Sequence, residues 1–286
     1  MSDKPLTTIK LPVWRTVKAA YLVIFQNYRL AIKLGIIPLV FAISPSILNS
    51  YFWEVMTMNA ELLILLKFFT WIMSIPMITA WHRMVILGHA DPDSRIRYSI
   101  QKNEWSYLWK AVLFGLIILL TCLLGYLVPT MLGVYTILMG LRGHQETSIL
   151  ITIIIIIKMI SVAGLTATIF AFIFRLSLVF PTVAVGKPIG FRESWRNTRN
   201  NTWRLFAVVC LGFLPLLVIS VVVNGLFFMP WSIAVISIIL PTSFGSSLMA
   251  VINIPFWLLG LCVGVSVWSW AYRYLVQGHP ITLLED

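Results

Sequence analysis

Charge is what this chain has least of: only 11% of its 286 residues are Asp, Glu, Lys or Arg, against about 25% in soluble domains. A water-soluble fold of this length has to dress its surface with far more charge, so a soluble globular protein is excluded. Carboxylates are the scarcest. Ten Asp and Glu stand against 21 Lys and Arg, a net charge of +11. None lies deep in a long apolar run, which argues against a proton or cation relay built on buried acids. Cysteine is sparse too: Cys122, Cys210 and Cys262 lie in apolar runs, without metal-ligand or disulfide spacing, and read as reduced packing residues. The histidines His82, His89, His144 and His279 fall at or beyond the ends of the apolar runs and lack paired metal spacing, so each is expected at an interface or in a loop. There is no Gly-rich phosphate loop, H-E-x-x-H, C-x-x-C or G-x-S-x-G elbow. The chain therefore reads as non-enzymatic, with no catalytic residue, metal or cofactor.

What is present is apolar: 59% of residues are hydrophobic and the mean hydropathy is +0.93. The solvent for such a chain is lipid, and twelve Trp with nine Tyr suit the headgroup level, where amphipathic rings collect. A bilayer core takes about 20 apolar residues per helix. Six windows meet that length: Leu30 to Ser50, Leu62 to Trp81, Ala111 to Met131, Ile149 to Phe174, Leu205 to Met229 and Leu248 to Ala271. A seventh, Trp231 to Leu240 between Pro230 and Pro241, is too short to cross and reads as either a re-entrant half-helix or an ordinary loop. Pro38, Pro45, Pro76, Pro215 and Pro255 lie within spans, where neighbouring helices can satisfy the freed carbonyls. Eighteen of the 21 basic residues fall on one side of these spans, the exceptions being Lys67, Arg142 and Lys158. By the positive-inside rule both termini are cytoplasmic. No cleavable signal peptide is visible, because Lys4, Lys10, Arg15 and Lys18 precede any long apolar run.

The fold class is all-α: a six-span helical membrane bundle in one integral domain, 1–286, built from three in-out-in hairpins at about 13–89, 94–187 and 191–279. The first and last hairpins share an Arg-x4-Gly-His closure, Arg83 with Gly88-His89 and Arg273 with Gly278-His279. Parallel repeats of this kind are related by an axis along the membrane normal. Two segments leading into spans have helical amphipathic spacing: Val13, Val17, Ala20, Ile24 and Tyr28 oppose Arg15, Lys18, Gln26 and Arg29, and Phe191, Trp195, Thr198 and Thr202 adjoin Arg192, Arg196 and Arg199. Such helices are expected to lie in the interface, apolar face toward the acyl chains and cations near lipid phosphates.

The run Phe174-Arg-Leu-Ser-Leu-Val-Phe-Pro181, then Gly186, then Glu193-Ser-Trp-Arg-Asn-Thr-Arg-Asn-Asn-Thr-Trp-Arg-Leu205 resembles uncharacterised bacterial polytopic inner-membrane proteins of the YciC-like group and the membrane domain attached to some glycerophosphodiester phosphodiesterases. Their pattern is an Arg-ended span, a Pro, a short acidic loop, then a Ser-Trp helix leading into the next span. Gly186-Lys187 stands where an acidic residue is usual. The resemblance implies a multi-pass protein of the bacterial inner membrane. It does not carry the phosphodiesterase activity, since this chain holds no soluble phosphodiesterase domain.

The residues expected to contact lipid headgroups or a partner are Arg83, Arg175, Arg192, Trp195, Arg196, Arg199, Trp203, Arg204 and Arg273. Anionic lipid headgroups, and another integral membrane complex, are the expected partners. Nucleic acid is not, because the membrane accounts for the same cations and aromatics. Lys158 is the intramembrane exception, about 13 Å into the fourth span at 1.5 Å per residue. Either it snorkels to a surface, or it faces the bundle and donates to carbonyls freed by prolines such as Pro38 or Pro215. A scaffold, assembly or accessory subunit ranks first as function, a small-molecule or lipid transporter second, and a lipid-modifying enzyme last.

Overall fold

The computed structural model describes residues 10–51, 60–88, 104–121, 123, 147–232 and 242–281. The described chain is helical throughout, with connections but no strand. In chain order its helices are α1 (Val13–Gln26), α2 (Tyr28–Tyr51), α3 (Ala60–Leu87), α4 (Glu104–Thr121), α5 (Thr147–Leu176), α6 (Val179–Ala184), α7 (Phe191–Thr198), α8 (Thr202–Ser232) and α9 (Thr242–Leu275). Five stretches, within α3, α4, α5 with α6, α8 and α9, are long and apolar enough to cross a membrane; the bent pair α1–α2 makes a sixth if it counts as one span. This is the architecture of a multi-pass membrane protein. Without water in the bilayer core, a helix is how such apolar stretches satisfy their backbone groups.

Helix α9 is the hub and packs against α1, α2, α3, α6 and α8. Small residues bring its neighbours close. A Cβ at Gly35 of α2 would meet Leu258 Cδ1 of α9 at 2.6 Å, and one at Gly264 would meet the Phe213 ring at 3.4 Å. Between helices in lipid, where hydrophobicity gives no driving force, close packing of this kind and interhelical hydrogen bonds hold them together. Three helices are followed by a glycine in the left-handed region: Gly88 (φ 78°) after α3, Gly186 (φ 72°) after α6 and Gly278 (φ 72°) after α9. Only glycine enters that conformation without a Cβ penalty. The Gly of the Arg-x4-Gly-His closure therefore follows a helix end in both copies, and Gly186 follows the end of α6 in the same conformation.

One proline expectation is met in detail. Pro45 has no N–H for Phe41 O, and the Thr70 hydroxyl of α3 reaches that carbonyl at 2.9 Å while also lying 2.9 Å from Leu66 O. Helices α1 and α2 meet at 81° about Asn27, whose side-chain amide donates to Val23 O at 2.9 Å. The apolar face expected to rest on lipid instead rests on protein: Thr16, Val17, Ala19, Ala20 and Ile24 are buried, against α9 and α8. The face of α1 turned outward carries Arg15, Lys18 and Gln26, with Trp14 71% and Phe25 68% exposed.

The third span also differs from its window. The chain is already helical at Glu104, seven residues before Ala111, so Trp105, Tyr107, Trp109 and Lys110 belong to a helix and not to a loop. Trp231 and Ser232 close α8, and the rest of the Pro-bounded stretch lies outside the described residues.

Candidate functional site

The sequence-selected residues gather at the end of the bundle where α3 and α9 finish and α8 begins. They fall into a corner around α7 and a seam between α3, α4, α6 and α9. Arg175, near the end of α5, organises the corner. Its backbone carbonyl accepts the Ser194 hydroxyl at 2.6 Å and the Thr198 hydroxyl at 3.3 Å. Its guanidinium lies 4.4 Å from the Trp195 ring centroid and donates through Nε to Thr202 Oγ1 at 3.0 Å. A cation over a Trp face contributes about 0.5–2 kcal/mol. Helix α7 is thus fastened by hydroxyls on the Ser194–Thr198 side, both residues being fully buried. Glu193 in its first turn and Arg196 in its last complement the helix dipole.

Below α7, an aromatic cluster ties α5 to α8 and α9. The Phe174 ring lies 5.6 Å from Phe206 and 5.9 Å from Trp268, and Trp203 sits edge-on to Phe206 at 5.7 Å. Trp203 is nonetheless 81% exposed, and Arg192, Arg196 and Arg199 are exposed as well. Arg204 turns inward. Its NH1 donates to Leu11 O at 2.9 Å while Leu11 N–H donates to Asn201 Oδ1 at 2.9 Å. Both backbone groups of one buried residue are therefore held by side chains about 190 positions later. From there α1 runs along α8 until Tyr21 OH donates to Gly212 O at 2.7 Å.

The seam is built from the other two arginines. Arg83 of α3 pairs through NH2 with Glu104 Oε1 of α4 at 3.1 Å and donates through Nε to Ala184 O, the end of α6, at 2.7 Å. Arg273 of α9 donates through NH1 to Val85 O at 3.2 Å and lies 4.6 Å from the Trp270 ring centroid. Guanidinium groups here take carbonyls near helix C-termini, where no backbone N–H follows. Lys110 does the same for the loop before α7, donating to Ile189 O at 3.2 Å.

Two placements overturn the sequence expectation. His82 is 2% exposed, not at an interface, and its Nδ1 lies 2.7 Å from Ser269 Oγ. Because that hydroxyl also donates to Val265 O at 2.8 Å, a coherent chain of bonds has His82 Nδ1–H donating to Ser269. Trp81 Nε1–H donates to Ser266 Oγ at 2.8 Å on the same face. Glu104, which the hydropathy windows leave in a loop, is 6% exposed. Burial of a carboxylate is tolerable because its counter-ion and the Thr79 hydroxyl, at 3.5 Å, face it.

Toward the opposite end, Asn224 of α8 and Asn253 of α9 exchange amide bonds at 3.0 and 2.9 Å, a polar pair the windows did not single out. Among the described residues no group of three or more His, Cys, Asp or Glu could hold a metal ion. Lys158 lies within α5, but its side chain is outside the described ones. Comparison with protein-family models, curated proteins and solved structures gives no match.

Proposed function

We propose that the chain is a non-enzymatic multi-pass component of a bacterial inner membrane, a scaffold, assembly or accessory subunit that organises lipid or sits beside another membrane complex. Its basic end meets the anionic headgroups of the cytoplasmic leaflet. The observation that carries this reading is the division of labour among the arginines. Arg83 and Arg273 hold carbonyls near helix C-termini, Arg175 holds the first residue of α8 and Arg204 the Leu11 carbonyl ahead of α1, whereas Arg192, Arg196 and Arg199 stand exposed on the corner that Arg175 fixes. Exposed cations at helical spacing along α7, with an exposed Trp203 at the start of α8, are suited to phosphates at the aromatic belt.

Reporter fusions test the orientation. A fusion after Gly190, in the loop leading to α7, should give a cytoplasmic signal, and one after Gly143 an external signal. A reversal of either overturns the cytoplasmic placement of the basic end.

A transporter is the second reading. It is favoured by the 81° break between α1 and α2, since discontinuous helices line the substrate sites of many carriers. The polar side chains in hand weigh against it. The His82, Glu104 and Arg83 group lies at one end of the bundle, and the Asn224–Asn253 pair lies about 33 Å along α8 from Thr202, at the other. Substrate-dependent flux in proteoliposomes would put the second reading first.

A further inference from the structure

We infer that α1 and the α7–α8 junction form one composite site for a lipid headgroup carrying two phosphates, with Arg199 and Arg204 on one phosphate and Arg15 and Lys18 on the other. The inference rests on the headgroup reading above and specifies the class of lipid.

The juxtaposition comes from the Leu11 clamp. Leu11 is fixed to Asn201 and Arg204 by two 2.9 Å hydrogen bonds. Arg15 follows four residues after Leu11, and Arg199 precedes Asn201 by two. The path through the clamp keeps the Arg15 and Arg199 Cα atoms within about 20 Å of each other. Each extended arginine reaches about 6 Å from its Cα, so the two guanidinium groups can close to about the span of two phosphates joined by a short polyol.

The chemistry of the flanking groups agrees. Arg15, Lys18 and Arg199 are exposed, and Arg204 is half-buried. A guanidinium has five N–H donors, so the Arg204 side chain can hold Leu11 O through NH1 and present another edge to a phosphate. Trp14 on α1 and Trp203 on α8 are both exposed large aromatics, suited to the glycerol and acyl boundary on either side of the headgroup. Glu193, the carboxylate of α7, sits in the first turn of that helix, at the opposite end from Arg199. A headgroup with a single phosphate can satisfy one half of this arrangement and leaves the other cations in water. One with two phosphates engages both halves with a single loss of lipid freedom.

The test uses the full chain in phosphatidylcholine nanodiscs containing either cardiolipin or twice its molar amount of phosphatidylglycerol, so that phosphate is matched. Retained lipid is read by native mass spectrometry. Cardiolipin should be retained about tenfold more per phosphate, and Arg15→Gln with Lys18→Gln should lower it to the phosphatidylglycerol level. Equal retention of the two lipids by the wild-type chain overturns the two-phosphate site and leaves the headgroup reading standing. A cardiolipin preference that survives the Arg15→Gln, Lys18→Gln change overturns the part given to α1. Retention of neither lipid above phosphatidylcholine overturns the headgroup reading as well.

Discussion

Arg83→Leu is expected to destabilise the protein by about 3 kcal/mol, because it removes a counter-ion of a buried carboxylate and not a surface ion pair. Glu104 is 6% exposed and faces Arg83 NH2 at 3.1 Å. The same change strips Ala184 O of its 2.7 Å donor. Thermal unfolding in a mild detergent reads the loss. Adding Glu104→Gln should recover most of it, since a neutral amide costs far less to bury than a carboxylate that has lost an ion-pair partner. A single variant within 1 kcal/mol of wild type would mean that the seam between α3, α4 and α6 is held by packing alone, through Ile75, Tyr107, Val179 and Val183.

The second large effect concerns binding. Converting Arg192, Arg196 and Arg199 to Gln together should weaken association with anionic vesicles about a hundredfold, from about 1 kcal/mol for each cation near an anionic surface. Stability should change little, because all three are exposed and none is among the arginines that hold helix ends. Raising the salt should weaken the wild type toward the variant, as screening demands. Equal binding by both proteins at low salt would remove these three residues from the surface. By contrast, Arg175→Gln should cost both stability and binding, since it unstacks Trp195 and frees Thr202.

How much of this was legible in the sequence depends on the distance over which each cause acts. Spans were legible because twenty apolar residues in a row are a local signal, and the freed carbonyl at Pro45 followed from chemistry any proline brings. Span ends were less so. Windows stop at Trp81 and Ala271, where hydropathy falls, yet α3 and α9 continue to Leu87 and Leu275. The polar residues responsible, His82, Arg83 and Arg273, have partners on other helices. Those partners are out of local reach: Ser269 is 187 positions from His82, and Val85 is 188 from Arg273.

The site was half legible for the same reason. Positive charge and tryptophan marked residues that gather at one end of the bundle, but the pattern could not separate arginines that face water from those that face carbonyls. Arg199 and Arg204 look alike in sequence. Arg199 is exposed, while Arg204 holds Leu11 O, a group that only the fold delivers. Likewise the amphipathic pattern of α1 was real, but hydrophobic spacing does not say whether lipid or protein covers the apolar face. Here α8 and α9 cover it, and its cations face outward.

Anionic headgroup binding at this corner is the property on which the proposed function rests. Its most direct test is extraction of the full chain into native nanodiscs, without detergent, followed by mass spectrometry of the co-isolated lipids. Enrichment of anionic over zwitterionic lipid relative to the bulk membrane is the predicted result, and it should be lost in the Arg192→Gln, Arg196→Gln, Arg199→Gln variant. A lipid composition identical to the bulk membrane, and the same for both proteins, would contradict it.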